Sequence, residues 1–291
     1  MIGMSKFKSN ILFILKSYGW TSLFVCLQTV FLLIALAVKV LTDLDIQEQL
    51  FSLIMMSSTT AEVDVSSYMD TYNFLMDVIM QLIVPTEILL TVSFISIYLL
   101  MNRKHKEYIR VTKLSIHDTI RLIAMAMILN TVISFILMLV PAEVIDSTGY
   151  SQAVDFDSLK AFWGILAIGI CAPLCEEITF RYLCFNSRKT NAFWFYAIVP
   201  SLLFGLVHLN IIQSTYAFVL SMIFFIFNKK YNSITPGIIL HLTINTSSTL
   251  LMYSGLDELT LLLSLTGLSV VIAILDYIIL KNKSSMEETY Q

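Results

Sequence analysis

The sequence predicts an all-α fold: a polytopic membrane helical bundle of about eight transmembrane helices. Three observations predict it. Hydrophobic residues make up 57% of the 291-residue chain and charged residues only 13%, about half the ~25% charge of a soluble domain. The apolar residues fall in long blocks, which a soluble core does not require. Basic and acidic residues alternate from one inter-block loop to the next. No polar linker is long enough to separate two domains, so 1–291 reads as a single membrane domain whose solvent is the lipid bilayer. No nucleic-acid partner is expected.

A spanning helix needs about 20 mostly apolar residues. The candidate segments are 20–41, 82–101, 120–140, 161–183, 193–209, 215–227, 234–253 and 260–280. Lys6, Lys8 and Lys16 precede the first without a small-residue cleavage site, so it reads as an uncleaved span. The fifth and sixth segments are short. They are expected as a tight hairpin, with an earlier start near Ile211 as the alternative for the sixth.

Lys and Arg set the orientation. Arg103, Lys104, Lys106, Arg110 and Lys113 follow the second segment, Arg188 and Lys189 the fourth, Lys229 and Lys230 the sixth, and Lys281 and Lys283 the eighth. The intervening loops hold Asp43, Asp45, Glu48, Glu62, Asp64, Asp70, Glu143, Asp146, Asp155, Asp157, Asp257 and Glu258, with only Lys39 and Lys160 against them. Eight crossings then place both termini in the cytoplasm of a multi-pass cell-membrane protein. Within the long 42–74 loop, 50–56 is expected to lie amphipathically at the interface. The basic 103–113 loop reads as a topology anchor.

The four cysteines, Cys26, Cys171, Cys175 and Cys184, lie in or beside apolar segments. They read as small apolar side chains rather than a disulfide framework. Cys171 and Cys175 lack the second pair that a structural metal site needs.

A charge at the centre of a membrane helix costs about 2.5–3.5 kcal/mol on insertion scales, so intramembrane ionisable groups point to function. The fourth segment holds Glu176, Glu177 and Arg181. Glu177 and Arg181 are four apart and share a helix face. Glu176 points about 100° away and is free to act as a general base. Pro173 removes one helix hydrogen bond and leaves a carbonyl near the site to be satisfied. His208 and His241 lie in the fifth and seventh segments, whereas His105 and His117 fall in the basic loop and are expected to be solvated. Phe204 is one turn before His208 and can wall its ring, and Asn245 is one turn after His241 on the same face.

No G-x-S-x-G elbow and no H-E-x-x-H helix occurs. One Glu, two His and one Asn suffice for peptide hydrolysis. A carboxylate and an imidazole deprotonate water, while a second imidazole and an amide stabilise the oxyanion. Glu176, His208 and His241 could instead hold Zn²⁺, and spacing does not choose between the two.

Glu176-Glu177-x-x-x-Arg181, Phe204-x-x-x-His208 and His241-x-x-x-Asn245 resemble the three signatures of the CAAX protease and bacteriocin-processing (CPBP, or Abi) family of intramembrane peptidases. The resemblance covers about 161–250. Tyr182 departs from it, since the family commonly has Gly there. The resemblance implies that Glu176 and His208 activate water, that His241 and Asn245 form the oxyanion site, and that Glu177 and Arg181 support them. It implies an endopeptidase acting on a peptide or membrane-protein substrate, of glutamate or metalloprotease type. Bacterial members serve bacteriocin immunity and peptide maturation, and a composition rich in Ile, Asn and Lys leans that way, against prenylated substrates. The competing readings are a non-enzymatic membrane partner, such as an immunity protein, and an ion-coupled transporter, for which no internal repeat is visible.

Overall fold

A computed structural model describes residues 2–58, 65–104, 110–154, 159–185 and 193–289. His105, Lys106, Glu62, Asp64, Asp155, Asp157, Arg188 and Lys189 lie outside them. Each apolar block of the sequence is helical. In chain order the helices are α1 (Ile2–Thr42), α2 (Leu44–Ser58), α3 (Val65–Lys104), α4 (Ile116–Met138), α5 (Ala142–Ser147) and α6 (Tyr150–Ala153). They continue with α7 (Ala161–Cys184), α8 (Phe193–Leu206), α9 (Ile211–Tyr231), α10 (Thr235–Met252) and α11 (Glu258–Thr289).

The bundle is all-α and polytopic, but the expected count of about eight spanning helices is corrected. Among the described residues, 5 helices are long and apolar enough to cross a membrane: Phe7–Thr42, Met69–Lys104, Ile116–Met138, Ala161–Cys184 and Ile211–Tyr231. The other three fall short for separate reasons. α8 has 14 residues, roughly 21 Å at the α-helical rise against a hydrocarbon core of about 30 Å. In α11 the described apolar stretch is Leu263–Ile279, and it carries Asp276. α10 has 18 residues but carries Thr243, Asn245, Thr246, Ser247, Ser248 and Thr249. Four of them are tied to neighbouring helices: Asn245 and Thr246 to Ile168 and Gly169 of α7, and Ser247 and Ser248 to Asn130 of α4. α9 begins at Ile211, the earlier of the two expected starts.

α7 is the centre. One of its faces packs with α1 and α3 through Phe24, Leu90, Phe94, Cys175, Ile178 and Tyr182. Phe180 and Cys184 meet Phe204 of α8 and Ala217 of α9. A third cluster joins α4, α9 and α10 through Leu122, Ala126, Leu220, Phe224, Leu240 and Ile244. Long apolar side chains such as Leu33, Ile34 and Val38 of α1 are exposed, as a lipid-facing surface requires. α2 contains the 50–56 stretch: Ile46 packs on Val78 and Leu82 while Phe51 and Ile54 are exposed.

The end of the basic loop is more than an anchor. Arg110 pairs in parallel with Ser233, and its carbonyl accepts from Ile234 N at 3.1 Å and Ser233 Oγ at 3.1 Å. This stitches the loop to the start of α10. His117 is not simply solvated: its Nδ1 lies 3.8 Å from Asp276 Oδ1. Arg121 Nε donates to Asp276 Oδ2 at 3.0 Å. The four cysteines are free, with Cys171, Cys175 and Cys184 buried and Cys26 exposed.

Candidate active site

α7 is not a uniform helix. Wide, π-helical turns over Ile165–Cys171 and Glu177–Cys184 flank an α-helical Ala172–Glu176. Single π turns inside helices recur at functional sites. Pro173 has no N–H, so carbonyls one turn upstream lose their helical donor. α10 supplies the replacements. Asn245 Nδ2 donates to Ile168 O at 3.2 Å and Thr246 Oγ1 to Gly169 O at 3.0 Å. A β-carbon at Gly169 would lie 3.2 Å from Thr246 Cα, so the glycine permits this approach. Backbone groups in a bilayer must be satisfied internally, and here the satisfaction docks α10 on α7.

That docking brings four ionisable groups together. Glu177 is 0% exposed and Arg181 1%. Arg181 Nη1 lies 3.0 Å from Glu177 Oε1, the pair expected from the i, i+4 spacing, and its guanidinium sits 4.3 Å over the Phe204 ring. His241, on α10, lies between the two glutamates: Nδ1 is 2.9 Å from Glu177 Oε1 and Nε2 is 3.4 Å from Glu176 Oε2. Unpaired buried charge is costly. Arg181 balances Glu177, whereas Glu176 has His241 as its ion-pair partner. Glu176 and Glu177 are therefore divided by charge rather than by distance, since both reach the same imidazole.

Phe204 joins this centre to His208. Its ring lies 5.7 Å from the His241 ring and 5.0 Å from the His208 ring, edge-on to both. His208 Nδ1 is 2.8 Å from Phe204 O. A carbonyl only accepts, so Nδ1 carries the proton and Nε2 keeps a lone pair. The structure thus brings Glu176, Glu177, Arg181 and His241 into direct contact. His208 stands one aromatic ring away, and among the described residues no hydrogen bond or ion pair joins it to Glu176 or His241. Asn245 lies one turn beyond His241 with one amide hydrogen committed to Ile168. Among the described residues no three His, Cys, Asp or Glu side chains are grouped so as to hold a metal ion. The Glu176, His208 and His241 set does not fit a zinc site in this arrangement.

Three groups escaped the sequence reading. Glu87, in α3, is 5% exposed and accepts from Gln28 Nε2 of α1 at 2.9 Å. It lies within an expected span, so the rule that drew attention to Glu176 applies to it equally. Asp276 is the same omission in α11. Asn228, 3% exposed, accepts from Gly237 N at 2.7 Å. A β-carbon at Gly237 would lie 2.6 Å from Glu177 Oε2, so this glycine lets Glu177 reach α10. Nothing in the sequence pattern marks that contact.

Fold and site define a multi-pass membrane protein with a buried Glu/His/Arg centre of the kind that suits hydrolysis inside the bilayer. Residues 158–247 match the family model described as Type II CAAX prenyl endopeptidase Rce1-like. The match covers roughly a third of the chain, and it contains Glu176, Glu177, Arg181, Phe204, His208, His241 and Asn245. No curated protein and no solved structure matches the chain. The family match and the buried Glu–His pair together support an intramembrane endopeptidase of the Glu/His type.

Proposed function

We propose that the protein hydrolyses a peptide bond within the membrane, in a peptide or membrane-protein substrate, with a water activated by Glu176 and His208. The observation that carries this reading is His241 held between Glu176 and Glu177 in the protein interior. Glu176 is the carboxyl of the centre that Arg181 leaves without a fixed countercharge, so it can exchange a proton. His208 offers Nε2 as a second acceptor. As the water oxygen bonds to the carbonyl carbon, its proton passes to this pair. The negative charge that develops on the carbonyl oxygen is met by a proton on His241 Nε2 and by the second amide hydrogen of Asn245. Collapse of the tetrahedral adduct breaks the C–N bond, and the stored proton leaves with the amine. Glu177 and Arg181 serve as support, holding His241 by its other nitrogen.

Purified protein and a quenched-fluorescent peptide library test the proposal. Glu176→Gln and His208→Gln each should lower the cleavage rate by about 10²–10⁴. Identical cleavage by wild type and Glu176→Ala would sink the reading. For orientation, both termini face the cytoplasm. The loop charges support this arrangement. Labelling of single cysteines introduced at Lys8 and Lys283 in sealed cells tests it, and reaction with an impermeant reagent from outside refutes it.

A further inference from the structure

The residue after His208 has a backbone conformation that its side chain does not favour. α8 ends at Leu206, and the chain turns through His208 N→Gly205 O at 3.2 Å and Leu209 N→Leu206 O at 3.2 Å. Leu209 then adopts φ 55°, the left-handed region that an L-residue with a bulky side chain avoids. The other non-glycine with positive φ among the described residues is Asn232, a type that tolerates it. Leu209 is 94% exposed, so its own packing does not impose this shape.

The next residue can. Asn210 is 6% exposed and its side chain makes three hydrogen bonds. Oδ1 accepts from Ile212 N at 3.0 Å and Gln213 N at 3.2 Å, capping α9. Nδ2 donates to Thr148 O at 2.9 Å, in the turn after α5. On the other flank, Gly205 lets α9 abut α8, since a β-carbon there would lie 2.8 Å from Ser214 O. His208 is suspended between these two fixed points. A cap alone needs only an acceptor, which Ser, Thr or Asp would supply. The bond to Thr148 needs the amide N–H as well. Strained backbone persists where surrounding contacts over-determine it.

We propose that Asn210 is a positioning residue: by tying the start of α9 to Thr148 it holds Leu209 in its left-handed conformation and so fixes the direction in which His208 presents Nε2. The use of His208 rests on the endopeptidase reading, but its orientation can be measured without cleavage. The full chain, labelled with ¹⁵N-histidine and reconstituted in phosphatidylcholine nanodiscs, contains 4 histidines, and His208→Gln assigns the signal of interest. Wild type should show His208 as a single Nδ1–H tautomer. Asn210→Ala and Asn210→Asp should split or broaden that signal, the second while keeping the cap. Leu209→Gly added to either should restore it, because glycine holds positive φ unaided. An unchanged His208 signal in Asn210→Asp, or no restoration by Leu209→Gly, overturns the proposal. If wild type cleaves the peptide library, kcat should fall about tenfold in Asn210→Asp with KM unchanged, as expected for a misdirected catalytic group. A wild type that cleaves nothing refutes the endopeptidase reading and leaves the spectroscopic test standing.

Discussion

Gly237→Ala probes how tightly the centre is built. Gly237 stands one turn before His241 on α10, and a β-carbon there would lie 2.6 Å from Glu177 Oε2, 2.8 Å from Asn228 Nδ2 and 3.0 Å from Asn228 Oδ1. Ordinary contact begins near 3.4 Å, so roughly 0.8 Å must be found. An exposed carboxylate would swing aside. Glu177 is enclosed, and its other oxygen holds both Arg181 at 3.0 Å and His241 at 2.9 Å. Rotating the carboxylate to clear the methyl group moves that oxygen too. Asn228 is equally committed, through Oδ1 to Gly237 N. Either α10 retreats from α7, at about 1–3 kcal/mol for overpacking, or the buried ion pairs break, at about 3–5 kcal/mol. Thermal unfolding in detergent should show the loss of stability, and Glu176-dependent cleavage should fall with it. An unchanged unfolding midpoint with full cleavage would refute the claim that Gly237 sets the Glu177–His241 contact.

Gln28→Leu strands the Glu87 carboxyl and should destabilise the fold by about 1–3 kcal/mol, whereas Gln28→Leu with Glu87→Leu should recover most of that loss in a denaturation series. Asn130 Nδ2 donates to Ser247 Oγ at 3.1 Å and Ser248 Oγ at 2.8 Å; Asn130→Ala should cost about 0.6–1.7 kcal/mol for this interhelical contact, and no change in unfolding would contradict it. Because no donor triad is assembled among the described residues, dialysis of active protein against a chelator should leave its cleavage rate intact, with metal content measured in parallel. The backbone N–H and hydroxyl of Thr260 hold the Asp257 carboxyl below its ordinary value. That contribution is present above the ordinary carboxylate range and is lost as pH falls through the depressed value. Protection of the amides at the start of α11, corrected for intrinsic exchange, should therefore fall in acid, and Asp257→Asn should flatten the dependence.

What could be read in advance divides along a physical line. Hydropathy reports where a chain avoids water, and it located every helix that shapes the site. It could not report that α10 bonds Asn245 and Thr246 to α7 and Ser247 to α4, because burial in protein and burial in lipid look alike along a sequence. Helix spacing correctly joined Glu177 to Arg181. It gave no sign that Glu176 and Glu177 reach the same imidazole from its two sides. The missing N–H of Pro173 correctly signalled carbonyls in need of donors, but their partners lie some 75 residues further along the chain, beyond any local rule. Glu87 and Asp276 were available to the same reasoning that singled out Glu176. The contacts through Gly237 and Gly205 depend on two helices meeting at one height, which no periodicity encodes.

The wide turns of α7 have a consequence for how this helix tolerates change. A π turn is an α turn that has taken in one residue. The two such stretches, Ile165–Cys171 and Glu177–Cys184, bracket the segment that carries Glu176. Losing one residue from either stretch would let that turn tighten to an α turn, so the change would be absorbed locally and the segment carrying Glu176 would keep its facing toward α10. The helix works as a shaft with two couplings. The angle of its reactive middle is set independently of the surfaces it shows to its neighbours above and below.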